Sequence, residues 1–115
     1  MSTLKKLPAA FYETSTGREP VRDWLLGLDE ESRRIVGRDI ATAEFAWPVG
    51  MPLSRSLGAG LHEIRSNITK KRIARVIFMA RTGRMVLLHG FVKKSQKTPK
   101  ADLDLAKQRA KEITA

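Results

Sequence analysis

The chain has no cysteine. That excludes a disulfide framework, a thiolate metal site and a cysteine nucleophile. His62 and His89 are its only histidines, too few for most zinc sites, and neither a metal nor a cofactor is expected. No apolar run approaches the ~18 residues of a membrane span. The opening MSTLKKLPAAF carries lysines without the apolar h-region of a signal peptide, so the expected compartment is the cytoplasm and no membrane contact is expected. Repeats, linkers and low-complexity segments are missing as well. The expectation is one domain over residues 1–115, with a hydrophobic fraction of 42% to build its core.

Acidic residues are scarce where basic ones gather. The net charge is +10. Residues 1–52 hold 7 Lys/Arg against 8 Asp/Glu, while residues 53–115 hold 15 against 4. A split this lopsided gives one region a strong positive potential. Nucleic acid is the first partner to consider, because each neutralised phosphate releases counterions. A merely solvated basic surface is the plain alternative.

Hydrophobic periodicity supplies the elements. Residues 7–12 are short, apolar and aromatic, and fit a strand. Pro20 suits the first turn of a helix, and Val21, Trp24, Leu25 and Leu28 follow at helical spacing. Asp29 can cap a second helix, with Val36, Ile40, Ala43 and Trp47 on its stripe, until Pro48 and Gly50 stop it. Residues 20–47 thus read as a helical hairpin. The period then shortens. Residues 61–66, 72–80 and 85–92 read as strands, the last two joined by the tight connection around Thr82-Gly83. Thr98 can cap a final helix, with Leu103, Ala106, Ala110 and Ile113 on its apolar face. The predicted class is α+β, in the order β-α-α-β-β-β-α, with a mostly antiparallel sheet backed by the hairpin and a C-terminal helix.

Strand residues alternate faces. Glu63 and Arg65 therefore share a side, and Arg75, between Ile73 and Ile77, stands at an apolar position. A cation there is costly unless it is paired or lines a wet cleft. Either Glu63 pairs internally with Arg75 or Arg65, or these guanidiniums line an anion site, for which their planar forks are suited. Lys93, Lys94 and Lys97 follow directly from the last strand and can converge with them. His89 is a hydrogen-bonded core residue or a catalyst. Phe91 is core or a platform for a base. His62 faces away from Arg65. Trp24 and Trp47 fit the helical core, and position favours packing for Tyr12, the only tyrosine.

Taken together, Gly60-Leu61-His62-Glu63-Ile64-Arg65, then Arg72 and Arg75, then LLHGFVKKSQKTP (87–99) leading into a helix, resemble the RelE/HigB superfamily of bacterial toxins. The likeness is greatest to its HigB-like, phage-derived branch, which GREPV (17–21) fits too. It spans roughly residues 9–113. The resemblance implies a RelE-like fold and the toxin of a type II toxin–antitoxin system. The implied activity is metal-independent endoribonuclease cleavage of mRNA on the ribosome, which inhibits translation. The implied partner is a helix-turn-helix, HigA-like antitoxin, in a hetero-oligomer that binds operator DNA through the antitoxin. Such cleavage needs no metal: a 2′-hydroxyl attacks the adjacent phosphate and leaves a 2′,3′-cyclic phosphate. Cations aimed at the phosphorane lower that barrier, and Arg65 and Arg75 are the candidates. Like charges side by side favour a neutral amine, which makes Lys93 or Lys94 a candidate base; Glu63 and His89 are rivals. Arg72, Lys97, Phe91, His89 and Glu63 are candidate RNA contacts, with Arg72 turned the other way. Many members use a tyrosine or histidine near the C-terminus; Ile113-Thr114-Ala115 offers neither. The same fold houses ParE-type toxins directed at DNA gyrase, and a non-catalytic nucleic-acid-binding regulator is the third class.

Overall fold

The computed structural model of the protein describes residues 4–93 and 97–114. Strand β1 (Ala9–Phe11) leads to helix α1 (Pro20–Leu26) and helix α2 (Glu30–Ala46). Strands β2 (Ser54–Gly58), β3 (Leu61–Ile68), β4 (Arg72–Arg81) and β5 (Arg84–Lys93) follow, and helix α3 (Lys100–Thr114) comes last. The α+β class and the element order match expectation, with one addition. β2 was not predicted, because Ser-Arg-Ser-Leu-Gly has neither a β-branched run nor a clean alternation.

The five strands lie in the order β1-β5-β4-β3-β2. β1 runs parallel to β5, and every other pair is antiparallel. Arg81 pairs with Arg84 across the β4–β5 turn. Its two central residues, Thr82 and Gly83, both have positive φ (51° and 73°), the conformation whose twist matches a two-residue hairpin.

The sheet is covered on both sides. Val21 of α1 and Val36, Ile40 and Ala43 of α2 pack on Ile64, Ala74, Val76, Phe78, Met85 and Leu87. Ala106 of α3, flanked by Leu103 and Ala110, packs on Leu61, Ile77, Met79, Leu88 and Phe91 from the other side. β4 therefore has six consecutive buried residues, 74–79, as a strand covered on both faces must. Gly90 lets α1 approach: a Cβ there would lie 2.3 Å from Cε3 of Trp24.

Caps tie the helices to the sheet. Asp29 accepts from the Ser32 amide at 3.0 Å, the N-cap expected for α2. Buried Glu44 accepts from the Ala9 amide at 2.7 Å and from Lys5 Nζ at 3.0 Å, which fixes the start of β1. Among the described residues no helix is long and apolar enough to cross a membrane.

Candidate functional site

The sheet face under α3 is apolar toward Leu61 and Met79 and charged toward the opposite end. Register sets the charged part. Arg55, Glu63, Ile77 and His89 form one row across β2, β3, β4 and β5. Arg65, Arg75 and Phe91 form the next. Asn67, Ile73 and Lys93 form the third. Alternation sends all of these side chains to one side. The expectation that Glu63 and Arg65 share a face therefore holds, and Arg75 of the next strand joins them there.

The site has two depths. Glu63 and Arg75 are completely buried, whereas Arg65 keeps 12% of its side chain exposed and Lys93 and Lys97 are exposed. Glu63 accepts from the Thr98 hydroxyl at 2.7 Å through Oε2, and its Oε1 lies 3.7 Å from Arg65 Nε. Like charges directly opposed across two strands repel, so the Arg65–Arg75 row needs the carboxylate beside it. Burial pushes the Arg75 pKa down from its ordinary value. Glu63 resists that most, Arg65 and Arg55 add to it, and Asp102 opposes it more weakly. Glu63 is thus the charge that does most to offset the burial of Arg75, and it lies 3.7 Å from Arg65 as well.

His89 is a further polar group of this face. Its Nε2 lies 2.7 Å from Oδ1 of Asp102 in the first turn of α3, and its ring stacks on Phe91 with centroids 5.3 Å apart. Arg109, one helical stretch further on, donates to the Leu88 carbonyl at 2.8 Å and holds α3 against β5. Beside Arg65 an open hollow of about 270 Å³ is lined by Met51, Pro52, Asn67 and Ile73. Exposed cations at the rim, a solvent-reaching guanidinium and a hollow beside it make an anion-binding arrangement.

Other predicted residues lie elsewhere. Arg72 is on the α2 side: its Nη2 is 3.3 Å from Asp29 Oδ1, and its Nε donates to the Thr69 carbonyl at 3.0 Å. It fastens the α2 cap to the β3–β4 turn and does not join Arg65. His62 also faces away, in an aromatic cluster with Trp47 and Phe78 at 4.9 and 5.4 Å, and burial lowers its pKa. Thr98, expected to cap α3, spends its hydroxyl on Glu63 instead. Tyr12 donates to Glu112 and lies under the Arg109 guanidinium, at the far end of α3. Lys94 lies outside the described residues.

Sequence reasoning missed Arg55, Asn67, Thr98 and Asp102 as neighbours of this site. Arg55 sits in the unpredicted strand. Asn67 lies just beyond the predicted end of β3, and alternation from Arg65 would have placed it. Asp102 is on the polar side of the α3 stripe, and nothing local says which side chain it will meet. Among the described residues no three potential metal ligands gather.

No curated protein matches the chain. The family model of the phage-derived Gp49-like proteins (DUF891) matches residues 23–111, which takes in both helical layers and the whole charged face. With more than half of its length in that match, the chain belongs to the phage-derived Gp49-like family.

Proposed function

We propose that the protein is the toxin of a toxin–antitoxin pair, of RelE/HigB type, and that it cleaves mRNA at the charged sheet face in association with the ribosome. The Gp49-like family is associated with toxins of toxin–antitoxin pairs, which supports the toxin reading. The second rests on one observation: Arg65 and Arg75 stand opposed in register, with Glu63 beneath them and Lys93 along the same face.

In this reaction the 2′-oxygen attacks the neighbouring phosphorus, and negative charge gathers on the phosphorane oxygens. Arg65 is the guanidinium placed to meet that charge, with Lys93 and Lys97 drawing the backbone in. Arg75 is wholly buried, so it acts behind Arg65: the Glu63 charge favours its charged form, and Glu63 lies 3.7 Å from Arg65. The same geometry speaks against Glu63 as the base, since its carboxylate is committed to Thr98 and Arg65. A preorganised donor of this kind typically contributes about 100- to 1000-fold in rate.

The antitoxin completes the pair. The excess positive charge of residues 53–115 favours an acidic partner surface, which also speeds association. Leu26 and Phe45 on the helical hairpin are about half exposed and offer apolar contacts on the other side of the sheet. The partner is a HigA-like helix-turn-helix protein that covers both.

Purified protein is to be incubated with RNA alone, with translating ribosomes and with gyrase on DNA. RNA cut to fragments ending in a 2′,3′-cyclic phosphate is the expected result. Trapped gyrase without RNA cleavage would replace this function with a ParE-like one, and neither outcome would leave a binding protein.

A further inference from the structure

Among the described residues, the His89–Asp102 contact is a hydrogen-bonded pair of titratable groups on the charged face that the phosphate-binding cations do not account for. Asp102 comes from α3 and His89 from β5, so the pair forms only when the helix docks. Neither group is sealed off: their side chains are 16% and 18% exposed. A carboxylate 2.7 Å from Nε2 is an acceptor, so it holds a proton on that nitrogen and leaves the lone pair of the neutral ring on Nδ1. That tautomer is ready to take a proton. Stacking on Phe91, itself the cross-strand neighbour of Arg75, limits how the ring can turn. His89 lies one step diagonally from Arg75 on the same face, a separation of roughly 7–8 Å between backbones that long side chains span.

We propose that His89 is the general base of the cleavage and that Asp102 is the residue that positions it; this rests on the RNA-cleaving function above. The proton of the attacking 2′-hydroxyl passes to the imidazole as the bond from the 2′-oxygen to phosphorus forms. The bond from phosphorus to the 5′-oxygen breaks, and the departing oxygen takes a proton from the Lys93 ammonium or from water. The imidazolium, stabilised by Asp102, then returns its proton to solvent. Asp102 of α3 contacts the ring directly; the other charged groups of this face are Arg55 of β2, Glu63 and Arg65 of β3, Arg75 of β4 and Lys93 of its own strand, with Arg109 on the α3 that packs above.

The test uses the full chain and a short mRNA bound to ribosomes, followed as log(kcat/KM) against pH. A general base must be neutral to act, so wild type should lose rate as the pH falls. His89→Gln and His89→Ala should be slower by about 100- to 10,000-fold and should lose that acid limb. Their binding to a non-cleavable RNA with a 2′-deoxy scissile position should weaken by far less than the rate falls. Asp102→Asn should slow the reaction while sparing binding, and Asp102→Glu should recover part of the rate. A 5′-bridging phosphorothiolate, whose leaving group needs no proton, should not rescue the His89 variants, because the missing step is proton removal. His89 variants that cleave at the wild-type rate with the same acid limb would overturn the proposal and leave the RNA-cleaving function standing. Rescue by the phosphorothiolate would overturn it too, by making His89 the acid. Wild-type protein that cuts no RNA would overturn both.

Discussion

Replacing Glu63 by Gln tests the electrostatic logic of the site through stability alone. The amide keeps the size of the side chain and an oxygen for the Thr98 hydroxyl, which donates to Oε2 at 2.7 Å. It removes the only carboxylate on β3, leaving Arg75 completely buried and Arg65 directly opposite it. Removing one partner of a buried charge pair costs about 3–5 kcal/mol, chiefly because the remaining charge stays desolvated. For 115 residues, an unfolding entropy of about 2.1 cal/mol/K per residue gives roughly 0.24 kcal/mol/K, or about 4 °C per kcal/mol. The expected fall in Tm is therefore about 12–20 °C, measured by circular dichroism. Arg75→Met in the Glu63→Gln background should recover most of it, since removing both charges of a buried pair is often neutral or stabilising. A Glu63→Gln protein within about 4 °C of wild type would show that Arg75 draws its compensation from elsewhere, and the reasoning that makes Glu63 its main offsetting charge would fail.

Further outcomes follow from other contacts. Gly90→Ala would push a Cβ to 2.3 Å from the Trp24 ring; overpacking of this kind costs about 1–3 kcal/mol, and both Tm and tryptophan fluorescence should register it. Tyr12 should titrate above its ordinary value of 10.0, held up first by its hydrogen bond to Glu112 and then by burial. Glu112→Gln should bring that titration down, because the carboxylate that disfavours phenolate is gone while Arg109, which favours it, remains. Ultraviolet absorbance reads this group alone, and an unmoved curve in Glu112→Gln would disprove the contact. Binding of the cleavage-blocked 2′-deoxy RNA should weaken steeply with salt. Lys93→Ala and Lys97→Ala should each flatten the log–log slope by about 0.7, and unchanged slopes would remove these lysines from the binding face.

The sequence was most legible where alternation governs. Counting by twos puts Glu63, Arg65 and Arg75 on one face, sends His62 and Arg72 to the other, and requires no tertiary information beyond strand pairing. Depth is a different matter. Arg75 reads either as an internal partner of Glu63 or as a cation lining a cleft; it is completely buried, because burial of a β4 residue depends on what crosses above it and not on its own neighbours in sequence. Thr98 shows a similar limit: a threonine before a proline and a helix reads as a cap, while tertiary folding brings a buried carboxylate within reach of its hydroxyl. Asp102 sits on the solvent side of an amphipathic helix by sequence, and only the docking angle of α3 turns it toward His89. β2 escaped notice because its strand character comes from pairing with β3 rather than from its own composition.

The central claim is that Arg65 meets the phosphate on which RNA cleavage occurs. Its most direct measurement is the single-turnover rate of RNA cleavage by wild type, Arg65→Ala and Arg65→Lys, with folding of each checked by its melting curve. Arg65→Ala should be slower by about 100- to 1000-fold. Arg65→Lys should recover little of that, because an ammonium cannot reproduce the two parallel hydrogen bonds of a guanidinium. A folded Arg65→Ala protein that cuts RNA as fast as wild type would contradict the claim and place the chemistry away from this face of the sheet.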